Sequence, residues 1–258
     1  LSMHDETLYA ERALRAGEAL GVETGDYDCD GTDEVWIHSG AFSAMIAPAR
    51  GGALVELTRF DAAINYADVL TRRLEAYHLP PLFGAGAGAS AGAESIHDRE
   101  ALLGLAATPP IDHDDRAIGV ARVIAAGVTA AQYEATAYAP VTSWARTRFA
   151  VACDLVGDTV IVRCECPSLA IEWRFDANAN VSVDYRWDGS VFHAGERFAP
   201  ELSLSHPLEI DAPDAIETWR YVVDTIAKSE RGMEAVIQGQ SVTPLFEAAT
   251  GHARIFIR

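Results

Sequence analysis

The chain has 258 residues, 49% of them hydrophobic, and a formal net charge of −18. No apolar run approaches the ~18 residues of a membrane helix, and the early acidic residues leave no long apolar stretch for a secretory signal. The negative balance works against nucleic acid and anionic lipid, both of which are held through basic patches, and leaves neutral ligands, cations or a merely solubilising surface.

In chain order, His4–Leu20 spaces Leu8, Ala13, Leu14 and Leu20 as a helix does, with Glu and Arg on the other face, and Gly21 supplies a stop. One amphipathic helix cannot bury its stripe alone. Residues 1–22 are therefore expected to be the end of a preceding helical domain, and 23–258 a β-sandwich domain. Leu1-Ser2-Met3 reads as a cut point, and a cytoplasmic location is the default.

Glu34–Ser39, Ala44–Ala47 and Ala53–Arg59 read as short strands, followed by a Gly/Ala/Ser-rich loop over 82–93. Val120–Ile124 and Ala131–Ala137 are expected as strands. Gly157-Asp158 is a two-residue hairpin turn between 149–156 and 159–166. Leu169–Phe175 and Val181–Trp187 alternate apolar and polar side chains cleanly, which marks sheets with one buried and one wet face. Trp219–Ile226, a turn over 228–232, Met233–Gln238 and Ala253–Ile257 close the chain. So many antiparallel strands, with no βαβ rhythm, indicate a mainly β protein built as a large antiparallel sandwich with a short N-terminal helix.

Cys153 falls opposite Val162 and diagonal to Cys164 across the hairpin, so Cys153, Cys164 and Cys166 read as small core hydrophobes. Cys-x-Cys lacks the spacing of zinc ligands. Trp173 and Trp187 lie on the apolar phase of their strands, whereas Trp144 and Trp219 could be core or could stack on sugar rings.

Four polar motifs interrupt the strand text. Asp26–Glu34 reads DYDCDGTDE, which resembles the start of a calcium loop: Asp26, Asp28, Asp30 and Glu34 would ligate by side chain and Thr32 by its carbonyl. An EF-hand is excluded, because its twelfth position is Ile37 and strand text follows. The competing reading is an acidic turn held by Asx hydrogen bonds. The second motif groups Arg72, Arg73, Glu75, Tyr77 and His78, the third is Ser95-Ile96-His97-Asp98, and the fourth is Asp112-His113-Asp114-Asp115-Arg116. Arg72, Glu75, Tyr77, His78, His97, Asp98, His113, Asp114 and Arg116 could line a sugar pocket or a domain interface. They could equally form an ion-pair network that ties long loops to the sandwich. No phosphate loop, Gly-x-Ser-x-Gly elbow or His-Glu-x-x-His is present, and no catalytic residue is assigned.

The strings DYDCDGTDEV, PARGGALVEL and NYADVLTRRLEAYH, then SIHD, IDHDDR and AKSERGMEAVIQGQSVTPL, occur in one order along most of the chain. In this the chain resembles the C-terminal β-rich region of glycoside hydrolase family 57, in its α-amylase and 4-α-glucanotransferase branch. The resemblance implies a galactose mutarotase-like supersandwich behind a catalytic barrel and a helical segment of the same polypeptide. It also implies α-glucan or a small sugar as partner and reactive carboxylates that lie in the barrel; the 82–93 loop departs from the family pattern. Two functions follow. One is a non-catalytic module that stabilises the enzyme or helps it hold carbohydrate. The other is a stand-alone mutarotase or epimerase, with His97, His113 and Glu75 as its acid–base groups.

Overall fold

The alternation in the sequence resolves into two antiparallel sheets that bury their apolar faces against each other. The computed structural model describes residues 3–75, 78, 110–229 and 232–258. In the larger sheet the hydrogen-bonded order runs β1 (Gly21–Gly25), β2 (Glu34–His38), β3 (Phe42–Ala47), β4 (Ala53–Arg59), β6 (Ile118–Val120), β14 (Glu201–Leu204), β17 (Gly232–Glu247), β13 (Arg197–Phe198), β7 (Arg122–Ile124) and β8 (Pro140–Ser143). The long strand β16 (Glu217–Ser229) pairs with β17, and the two-residue β5 (Ile64–Asn65) with β4. The smaller sheet runs β15 (Ile210–Asp211), β18 (His252–Ile257), β12 (Val181–Trp187), β11 (Leu169–Asp176), β10 (Thr159–Cys166) and β9 (Ala150–Val156).

Between the sheets lies one continuous core. Leu169, Ile171, Trp173 and Phe175 of β11 and Val181, Val183, Tyr185 and Trp187 of β12 face Ile37, Phe42, Leu54, Phe198 and Leu202. Phe42 stacks on Phe175 at 6.3 Å, and Trp187 on Phe198 at 4.0 Å. On the wet side of β11, Glu172 pairs with Arg163 and Arg174. Cys153 pairs with Val162 in register, and all four cysteines carry free thiols. Cys164 is fully buried, which pushes its thiol up to about 12. Trp144 is buried in this core, and Trp219 is buried in a separate cluster with Tyr133 and Leu245.

Three local expectations change. Ala131–Ala137 is not a strand: Ala130–Glu134 forms a helix, α2, because Thr129 and Gln132 make a reciprocal capping box that captures two N-terminal backbone donors. The N-terminal helix, α1, spans Met3–Leu14 and ends before a turn at Gly17, whose φ of 82° suits glycine. Gly21 opens β1 instead of stopping the helix, and a Cβ there would meet the His38 ring at 2.8 Å. Of the helical stripe Leu8 is buried, but Leu14 is 87% exposed. Finally, 120–124 is two strands. β6 pairs with β4 and β14, and after Ala121 the chain continues as β7 beside β13 and β8. The 82–93 loop lies outside the described residues.

Candidate functional site

The face of the large sheet that points away from the core is polar where its strands are most central. Alternation on β14 sends Leu202 and Leu204 inward and Glu201 and Ser203 outward; on β17 it sends Val242 inward and Ser241 and Thr243 outward. β7 contributes Arg122 and β16 contributes Tyr221 to the same side. Helix α2 covers this area through Tyr133, which packs on Tyr138, Trp219 and Tyr221. The segments 65–75 and 110–116 cover the rest.

Beneath that cover lies a buried ion-pair network. Glu201 receives Arg122 Nη1 at 2.7 Å, Arg116 Nη1 at 3.1 Å, and the hydroxyls of Tyr221 and Ser241 at 2.8 Å each. Tyr133 donates to its second oxygen at 3.2 Å. Arg116 also forks onto Asp112, at 2.7 Å and 2.6 Å, and Arg72 reaches Asp112 with its backbone N–H at 2.7 Å and its guanidinium at 2.8 Å. Asp114 lies 3.7 Å from Arg122 and accepts from Ser143. Three guanidinium groups thus meet three carboxylates. Burial alone would raise the Glu201 carboxyl, but Arg116 and Arg122, helped by Tyr221 and Ser241, hold it far below the usual carboxylate range. Burial pushes the Tyr133 hydroxyl well above its ordinary value, so it stays a donor.

Of the nine proposed sugar or interface residues, Arg72, Asp114 and Arg116 belong to this network. His113 stands edge-on to Tyr138 at 4.9 Å, at the rim of a void of about 10 Å³ beside Arg122 and Glu201, room for no more than about one water. His78 accepts from the Glu75 N–H at Nδ1 (3.1 Å); its Nε2 therefore carries the proton and donates to the Ile226 carbonyl at 3.1 Å. Arg72, Glu75, His78 and Arg116 also line a cleft of about 870 Å³ between the 65–75 segment and the β16–β17 hairpin. Tyr77, His97 and Asp98 lie outside the described residues.

Glu201, Arg122, Tyr133 and Tyr221, the centre of the network, escape sequence reasoning. A single Glu on the polar phase of a strand normally faces water, and only the cover from α2 and two loops makes it interior.

The acidic motif folds as the β1–β2 loop. Asp26, Asp28 and Glu34 bring one carboxylate oxygen each to within 4.8 Å of the others. Asp26, Asp28 and Asp30 also accept the N–H groups of Gly31, Asp30 and Thr32 at 3.1, 3.0 and 2.7 Å, the bonds of an Asx-held acidic turn; the Asp30 carboxylate lies outside the convergent group, and the Thr32 hydroxyl accepts from Arg148.

Fold and site together define an antiparallel β-sandwich with a loop-covered polar network on one outer face. Residues 26–214 match the family model for the C-terminal domain of α-amylase and 4-α-glucanotransferase, and the chain belongs to that family. It is 28% identical to the 4-α-glucanotransferase of Thermococcus kodakarensis over 87% of its own length and 39% of the relative's. It is 25% identical to the α-amylase of Pyrococcus furiosus over 86% of this chain and 37% of that one. The crystal structure of the Thermococcus litoralis 4-α-glucanotransferase shares its fold, with a TM-score of 0.68 at 19% identity, covering 99% of this chain and 41% of that one. The chain therefore spans about two fifths of the length of these relatives. Among the described residues no helix is long and apolar enough to cross a membrane.

Proposed function

We propose that this chain is the non-catalytic C-terminal β-sandwich module of a larger α-glucan-acting enzyme, a family 57 glycoside hydrolase or 4-α-glucanotransferase. In this reading it stabilises a catalytic barrel and helical domain of the same polypeptide and contributes a carbohydrate-facing cleft. The observation that carries the reading is the state of the titratable groups. Glu201, Asp112 and Asp114 are engaged by Arg72, Arg116 and Arg122 and are not free for acid–base work, and the void beside them admits no sugar ring. Leu70 and Val236 are exposed on the cleft walls, apolar side chains of the kind a neighbouring domain covers. An intracellular setting fits the four free thiols.

The test is activity of the purified chain. It is expected to leave maltooligosaccharides unchanged and to leave the mutarotation of fresh α-glucose at the spontaneous rate, while its migration in glycogen gels slows. Unaided turnover of an oligosaccharide, or accelerated mutarotation, overturns the non-catalytic reading. Unretarded migration removes the carbohydrate-facing part alone.

A further inference from the structure

We infer that Asp26, Asp28 and Glu34 form a calcium site in the loop between β1 and β2, with Glu34 as its buried ligand. This stands apart from the module reading, because it uses residues on another part of the sheet and no sugar chemistry.

The first observation is convergence. The three carboxylate oxygens lie within 4.8 Å of one another, and two ligands on one Ca²⁺ at about 2.4 Å each cannot be much further apart than that. The second observation is an orphan. Glu34 is 1% exposed, and while one of its oxygens accepts the Tyr27 N–H at 2.9 Å, the other, Oε1, has no hydrogen-bond partner. A buried, unpaired carboxylate oxygen is costly, and it is rarely left without a proton, a water or a cation.

The donor set selects the ion. Carboxylates alone are hard oxygen ligands, which suit Ca²⁺ or Mg²⁺ and not zinc or copper. An irregular loop supplying several carboxylates suits the larger and more tolerant Ca²⁺. Arg148 holds Thr32 in the same loop from the segment before β9. A bound cation would therefore pin the β1–β2 loop to the neighbouring sheet and remove the mutual repulsion of Asp26, Asp28, Asp30, Asp33 and Glu34.

The test is calorimetry of the full chain in EGTA and in millimolar calcium, together with terbium luminescence. Tyr27 and Trp36, whose rings lie 5.8 Å apart beside the loop, serve as sensitisers. Calcium is expected to raise Tm by about 5 °C or more, and terbium emission excited through the aromatic rings is expected to be quenched by competing calcium. Glu34→Gln keeps an oxygen for the Tyr27 N–H and removes the charge. In EGTA this variant is expected to melt no lower than the wild type, and calcium is expected not to shift it. Absence of a calcium shift and of terbium emission in the wild type overturns the site. So does a shift that survives in Glu34→Gln.

Discussion

Glu201 sets what the central residues can do. It accepts from five side chains, Arg116, Arg122, Tyr133, Tyr221 and Ser241, of which Arg116, Arg122 and Tyr133 are buried and Tyr221 is half-buried. Removing its charge leaves Arg116 and Arg122 without their shared counter-ion. Glu201→Gln is therefore expected to lose about 3–5 kcal/mol of unfolding free energy, measured by urea titration. The pH dependence follows in sign. The native carboxyl is held below its unfolded value of about 4.3, so its contribution is complete above that pH and fades as pH falls toward the depressed native value. The wild type should lose stability below about pH 4.3, and Glu201→Gln should show a shallower acid limb. An unchanged acid limb would mean that other carboxylates govern acid unfolding.

At the scale of elements, a bulge in β6 brings the backbone of the large sheet against Tyr185 and Trp173 of the small one. Opposite β14, Val120 pairs with Glu201 and Ile118 with Leu202, so Gly119 is the extra residue. Its φ is 88°, its carbonyl accepts the Tyr185 hydroxyl at 3.1 Å, and an added Cβ would stand 2.7 Å from that hydroxyl and 2.8 Å from the Trp173 ring. The bulge turns Ile118 and Gly119 toward the small sheet and Val120 to the outer side. Gly119→Ala is expected to cost about 2–5 kcal/mol, from backbone strain plus overpacking, read as a lower Tm. A loss below ~0.5 kcal/mol would mean that the two sheets can separate locally. Elements differed in how far they could be read from sequence. β10, β11 and β12 were legible because both faces declare themselves within eight residues. Helix α2 was not, because a five-residue segment carries too little period, and its identity rests on the Thr129–Gln132 cap.

For the whole molecule, the net charge of −18 falls on a fold in which Arg72, Arg116 and Arg122 are engaged inside and most other cations stay at the surface. Surface repulsion among carboxylates is screened by salt, whereas the buried network is not. With EGTA present, sodium chloride raised from tens to hundreds of millimolar is expected to increase Tm on the order of a few °C. A decrease would show that exposed ion pairs contribute more than the net repulsion removes.

The strand alternation, the Gly157-Asp158 hairpin, the cysteine placement and the acidic β1–β2 loop were determined by the sequence alone, since each depends on neighbours within a few residues. Tertiary structure alone decided which partners the polar motifs meet. Arg72 meets Asp112 across 40 residues, Arg122 meets Glu201 across 79, and Arg116 meets Glu201 across 85. No local pattern records such pairings. A charged side chain on the outer face of a strand is written identically whether water or another part of the chain will cover it, and burial is the property that turns it from surface into structure.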